Sequence, residues 1–218
     1  MTERFIHHLR VELPADDETA ATARVRLAAK FPRTALRRMT HLGLLIGSTL
    51  DGAELGPADA LVYASTFAET RALEDFLQGF PTPSPLLFQT SIHPGGVQQV
   101  LIGRQQPIAR LWPLAGRTRL VEQALLTALL EPAPRVALVG GEERGSWMRD
   151  HQMASDRSFA FAALLTTARA GAVGSIRCRP ESSADDRCPT LEQFALALAG
   201  RLPLQWHGAG GIWSMEWS

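Results

Sequence analysis

Covalent catalysis on an acyl group needs a thiol or hydroxyl held beside a base, with oxyanion donors within hydrogen-bond reach. This sequence has few places for such a set. Trp112-Pro113-Leu114-Ala115-Gly116 sits where a short apolar run meets a helical stretch, and it holds neither Cys nor Ser. Thr118 follows on the first helical turn, where its hydroxyl reads as a backbone cap. Ser146, in Gly145-Ser146-Trp147, lacks the second glycine of a hydrolase elbow and does not follow a suitable strand. Cys178 and Cys188, the only cysteines, have neither the paired spacing of a zinc site nor that of a redox dithiol, and read as spectators. His7-His8 has no third ligand at recognisable spacing and reads as the exposed end of an edge strand, so no metal is expected. Gly208, Gly210 and Gly211 precede a strand, with no Lys-Ser or Lys-Thr after them, and form a turn rather than a phosphate loop. Two features stay open. His93 is either a hydrogen-bonded structural group or a contact for a ligand or partner. Arg33, Arg37 and Arg38 are either a solvated helix face or a surface that steers an acidic partner.

The elements that must position these residues follow from periodicity. Phe5 to Leu13 alternates weakly, like an edge strand. Thr34 can cap a helix through Leu36, Met39, Leu42, Leu45, Ile46 and Leu50. Asp59 to Thr66 is a short apolar strand, followed by a helix from Glu69 to Phe80. Pro81, Pro83 and Pro85 break the chain, and Leu86 to Arg104 reads as helical with an interruption at His93-Pro94-Gly95-Gly96. Ile108 to Trp112 is again strand-like, Gly116 to Leu130 helical, and Arg135 to Gly141 a buried strand. Strands alternating with helices of this length imply crossover connections and parallel pairing. Beyond them, Ser158 to Thr167 and Ala172 to Cys178 read as two strands around a glycine turn. Thr190 caps a helix through Leu191, Phe194, Leu196 and Leu198, and Gly211 to Trp217 alternates like a half-buried strand.

The bulk numbers bound the function classes. A chain of 218 residues, 45% hydrophobic, fits a single α/β domain over 1–218. Lys plus Arg and Asp plus Glu are 22 each, so no global field points to nucleic acid or an anionic membrane. Lys30 is the only lysine, an imbalance that genome composition explains. Met1 to His8 lacks the apolar core of a signal peptide, and no apolar run approaches the roughly 18 to 20 residues that span a bilayer. A soluble cytoplasmic protein is expected, a setting that disfavours a disulfide between the two cysteines.

In this order of elements, several motifs resemble the β-ketoacyl synthase family, and more closely its truncated chain-length-factor-like branch associated with aryl polyene type II polyketide pathways. Leu36-Arg37-Arg38-Met39-Thr40-His41-Leu42-Gly43 is similar to that branch's Arg-Arg-Met-Ser-Arg-Leu signature, and Asp59 to Ser65 to its first core strand. Ser84-Pro85-Leu86-Leu87-Phe88-Gln89-Thr90-Ser91-Ile92-His93 is similar to Ser-Pro-x-x-Phe-x-x-Ser-Val-His and is the most specific match. The chain then continues Pro94-Gly95-Gly96-Val97-Gln98-Gln99 where the branch has Asn-Ala-Ala-Ala-Gly. Val139-Gly140-Gly141-Glu142-Glu143 resembles the Gly-Gly-x-Glu turn. Counting back from those glycines, the position of the family's nucleophilic Cys falls on Leu114, or Ala115 if one loop differs by a residue; neither attacks a thioester. The family's two decarboxylation histidines belong to a region this sequence does not match. His207, in Gln205-Trp206-His207-Gly208-Ala209-Gly210-Gly211, resembles neither of their motifs.

The resemblance implies a thiolase-like half-domain: α/β, with a mixed, mostly parallel five-stranded sheet and helices on both faces. It implies a non-catalytic subunit, without cofactor, that pairs with a full-length β-ketoacyl synthase, stabilises it and shapes its acyl tunnel. On that reading His93, Gln98, Ile108, Leu111, Trp112 and Leu114 line the tunnel or the interface, and Arg33, Arg37 and Arg38 meet an acyl carrier protein. Two rivals stand beside it: a stand-alone acyltransferase or thioesterase with an unrecognised nucleophile, and a homodimeric acyl-binding or scaffold module.

Overall fold

The structure, a computed structural model, describes residues 2–181, 187–208 and 210–218. Met1 of the N-terminal stretch and Ala209 of the glycine turn lie outside the described residues. The strands are β1 (Thr2–Glu12), β2 (Ala60–Ser65), β3 (Arg110–Ala115), β4 (Arg135–Glu142), β5 (Phe159–Thr166), β6 (Gly174–Arg179), β7 (Leu204–Gly208) and β8 (Gly211–Trp217). The α-helices are α1 (Ala20–Arg26), α2 (Arg33–Leu36), α3 (His41–Thr49), α4 (Thr70–Gln78), α5 (Pro85–Thr90), α6 (Gly95–Gly103), α7 (Leu120–Leu130), α8 (Trp147–Asp150) and α9 (Leu191–Gly200), with a short 3-10 turn at Ala28–Lys30. None among the described residues is long and apolar enough to cross a membrane.

All the strands join one eight-stranded sheet in the order β3-β2-β4-β5-β1-β6-β8-β7, not the five expected. Parallel pairing is confined to β2 with β3 and with β4, and every other pairing is antiparallel. The crossovers through α4 to α6 and through α7 create the parallel part. The later strands extend the same sheet instead of building a separate layer. β1 is the element that joins the halves. It is not an edge strand, because β5 takes one side of it and β6 the other. β5 and β6, adjacent in sequence, are therefore separated by it. His7 and His8 are accordingly half-buried within the sheet, with His8 Nε2 3.1 Å from the Thr49 carbonyl oxygen.

Side chains on β2 alternate between two cores, as strand geometry requires. Val62 and Ala64 face α7 and α9 with Leu125, Phe161, Phe194 and Trp213. Leu61 and Tyr63 face α3 and α6 with Leu45, Ile46, Val97 and Val100. Every residue of α3 is buried, so it is apolar nearly all round.

Two boundaries differ from the sequence reading in ways that matter. The helix expected from Thr34 breaks after Leu36 and restarts at His41, because Thr40 is a better cap: its Oγ1 accepts the Gly43 N–H at 3.0 Å, and Gln99 Oε1 accepts the Thr40 N–H. The expected turn at Trp112–Gly116 is strand as far as Ala115. The chain turns instead over Gly116–Arg119, where Gly116 (φ 141°) and Arg119 (φ 54°) supply left-handed backbone.

Candidate functional site

Ligands of open α/β sheets bind beyond the carboxyl ends of parallel strands. Here those ends are Ser65, Ala115 and Glu142. A cavity of about 380 Å³ lies there, bordered by Thr66, Phe67, Arg117, Leu120 and Glu142. Leu114 pairs with Ala64 and packs, half-buried, on the α7–α9 core; Ala115 pairs with Ser65 and is exposed. Thr118 is exposed and outside the cavity wall. Ser146 lies elsewhere, donating its hydroxyl to Glu74 Oε2 at 2.9 Å, so it has a structural partner. Cys178 is buried in β6 and Cys188 precedes α9; no disulfide joins them.

The strand ends hold a carboxylate instead of a nucleophile. Glu142 accepts the N–H groups of Thr66 and Phe67, the latter at 3.3 Å, and the Ser65 hydroxyl at 3.4 Å. Burial pushes its carboxyl up to about 7 against those bonds. The Arg117 guanidinium lies 4.9 Å over the Phe67 ring and donates to the Gln152 carbonyl, closing one wall.

A second buried group surrounds His93. Its ring stacks on Tyr63 at 4.7 Å, and Nδ1 stands 3.9 Å from Glu69 Oε2. Glu69 Oε1 accepts the Gly96 N–H at 2.6 Å. Burial lowers His93 to about 4 and lifts Glu69 to about 8, with the negative charge of Glu143 adding to the latter. The distance alone suggests an ion pair; the protonation states argue otherwise, since between those values both groups are neutral. The Tyr63 hydroxyl, Glu69 Oε2 and both His93 nitrogens have no partner with hydrogen-bond geometry among the described residues.

The remaining expected site residues divide among three places. Ile108 and Leu111 pack on the α3–α6 core, so Leu111 and Leu114 lie on opposite sheet faces and do not form one wall. Trp112 is 42% exposed on β3, which pairs with β2 on one side only. Glu131, just past α7, clamps that outer strand, accepting from Trp112 Nε1 at 2.7 Å and from Arg110 at 2.6 and 2.9 Å. Gln98 is exposed on α6. Arg33, Arg37 and Arg38 are all exposed, and only Arg37 and Arg38 border a second, larger cavity. Sequence patterns missed Glu69, Glu142 and Glu143 as buried polar centres. The one signal for the last two was a pair of carboxylates just past the Gly140-Gly141 that follows the apolar run Val136–Val139.

No family model and no curated protein matches the sequence. Solved structures do. The chain is similar to a chain of the ketosynthase ApeO in complex with its chain length factor ApeC from Xenorhabdus doucetiae, at 20% identity over 99% of each chain with a TM-score of 0.68. It is similar to the ishigamide ketosynthase/chain length factor at 14% identity, covering 85% of this chain and 69% of that one, TM-score 0.57. A β-ketoacyl synthase from Burkholderia phymatum STM815 matches at 11% identity over 85% and 67%, TM-score 0.55. The chain has the thiolase-like ketosynthase fold that the sequence motifs implied.

Proposed function

We propose that this chain, built on the thiolase-like ketosynthase fold, is a non-catalytic subunit of the chain-length-factor type that pairs with a full-length β-ketoacyl synthase. The observation that carries the reading is the end of β3. The position matching the family's nucleophile falls on Leu114 or Ala115, neither of which attacks a thioester, and no cysteine borders the adjoining cavity. Match to a chain of a ketosynthase and chain-length-factor complex over the whole length of both supports the pairing.

On this reading the partner's cysteine carries the growing acyl chain and its histidines drive decarboxylative condensation. This subunit borders the acyl tunnel and limits product length, with His93, Gln98, Ile108, Leu111, Trp112 and Leu114 toward the tunnel or the interface. Arg33, Arg37 and Arg38 meet the acidic carrier protein. The setting is cytoplasmic, in type II polyketide or fatty-acid-like biosynthesis, with an aryl polyene pigment as the product class the motifs favour. The open edge of β3 and its exposed Trp112 fit a strand added from the partner. An obligate interface of this kind buries more than about 2,000 Å².

The test is a tagged pull-down from the native host with the mass of the intact complex. A stoichiometric partner carrying a ketosynthase cysteine and two histidines is the expected result. A lone monomer or homodimer overturns the reading in favour of a scaffold module.

A further inference from the structure

The larger cavity, about 690 Å³, lies between α1, the turn before α3, α4, α5 and the loop after β4. Its volume suits an organic ligand rather than a bare ion. Its walls carry six arginines against four carboxylates. The use of those arginines is informative. Arg24 donates to the carbonyls of Leu36 and Met39, Arg71 to those of Arg144 and Glu18, and Arg144 to that of Asp16. Bonds to neutral carbonyls fix these three side chains in place without a carboxylate at ion-pair distance among the described residues. At the mouth, Arg37 and Arg38 are exposed and their side chains make no ion pair or hydrogen bond among the described residues. On the acidic side one of the four carboxylates is taken up internally. Glu74 is occupied by the N–H groups of Ser146 and Met148 and the Ser146 hydroxyl, while Asp16, Asp17 and Asp75 are exposed.

Two further features mark a built site. His41 lines the cavity with its side chain 1% exposed, and neither ring nitrogen has a partner within hydrogen-bond distance among the described residues; Glu18 at 3.6 Å and Glu143 at 3.9 Å are carboxylates beside it. Met39, Ala72, Leu86 and Leu87 supply an apolar wall opposite the guanidinium groups.

We propose that this cavity binds a phosphomonoester on an apolar body, its dianion held by Arg37 and Arg38 and its organic part lying along Leu86, Leu87 and Met39. Two guanidinium groups on consecutive residues that line the cavity, neither with a carboxylate partner among the described residues, match a phosphoryl dianion in charge better than a monoanionic carboxylate. The site does not depend on the chain being a chain-length-factor subunit; ligand and carrier protein would compete for Arg37 and Arg38, and the test reads ligand binding directly.

The probe is octyl phosphate, titrated calorimetrically into the full chain, or into its complex if that is the form that purifies. Saturable one-to-one binding is expected, weakened about tenfold or more by the double substitution Arg37→Ser and Arg38→Ser, and unchanged by Arg10→Ser, whose partner is Asp51. Octanoate and inorganic phosphate should each bind at least about tenfold more weakly than octyl phosphate. Octanoate binding equally well overturns the phosphoryl assignment, and inorganic phosphate binding equally well overturns the organic body. Absence of saturable binding, or undiminished binding by the folded double variant, overturns the site.

Discussion

Glu69, Glu142 and Glu143 are buried and their carboxyls are pushed up, to about 8, about 7 and about 7. In the unfolded chain the same groups ionise near the ordinary carboxylate value. Over the interval from about 4.5 to 8 the unfolded state therefore holds fewer protons, and stability falls as pH rises. His41 and His93, both lowered to about 4, act in the opposite sense: their contribution is present above about 6.5 and is lost as pH falls through 4. Urea unfolding across pH should thus show a maximum on the acidic side of neutrality. Glu69→Gln should flatten the alkaline limb by one proton's worth, about 1.4 kcal/mol per pH unit where it is steepest. An unchanged slope from pH 6 to 8 would show that Glu69 is ionised in the folded protein. None of this was legible from residue types. Glu69 looked like the start of a helix and Glu142-Glu143 like a turn motif, because burial of an acid depends on what packs over it. What the residues did disclose was Leu114 and Ala115, since the identity of a side chain needs no tertiary context.

At the scale of elements, local signals competed and the structure shows which won. Thr34, the cap expected from the sequence, is exposed in α2, while Thr40 holds the Gly43 N–H at the start of a fully buried helix. Thr40→Ala should cost about 1 kcal/mol of unfolding free energy, and Thr34→Ala should stay within about 0.5 kcal/mol. Equal effects would place the helix start where the periodicity put it. The pattern of glycines carries a second consequence. A methyl group at Gly140 of β4 would run into the Phe161 ring and approach the Ala64 carbonyl, whereas at Gly56 its nearest neighbour is Asp59 Oδ2 at 3.9 Å. Gly140→Ala should destabilise by about 1–3 kcal/mol through overpacking, and Gly56→Ala should have little effect. Urea midpoints of the two variants decide it, and equal midpoints would mean that the sheet relaxes around the methyl. Apart from α1 and α8, the helices and most strands were legible because each carries its own apolar period. β7 was not, as Leu204–Gly208 is too short to show one.

At the scale of the whole molecule, strand count and order depend on β1, whose weak alternation suggested an edge. It reads weakly because helices cover its faces only in part, yet it is hydrogen-bonded on both sides and welds the parallel end to the antiparallel one. The true edges are therefore β3 and β7, and they differ. β3 presents Trp112 and an unpaired backbone beside the exposed Leu126 and Leu130 of α7. A buried tryptophan at an interface commonly contributes 2 kcal/mol or more. In the heterodimer proposed above, Trp112→Ala should weaken capture of the partner by about 30-fold. Leu202→Ala, at an exposed apolar residue before β7, should leave capture unchanged. Leu202→Ala should keep the unfolding midpoint near that of the parent, whereas Trp112→Ala also removes the bond to Glu131 and is compared at temperatures where it stays folded, so that lost pairing is not mistaken for lost folding. If Trp112→Ala retains full capture while Leu202→Ala loses it, the partner sits on the antiparallel end, and the β3 edge has no part in assembly.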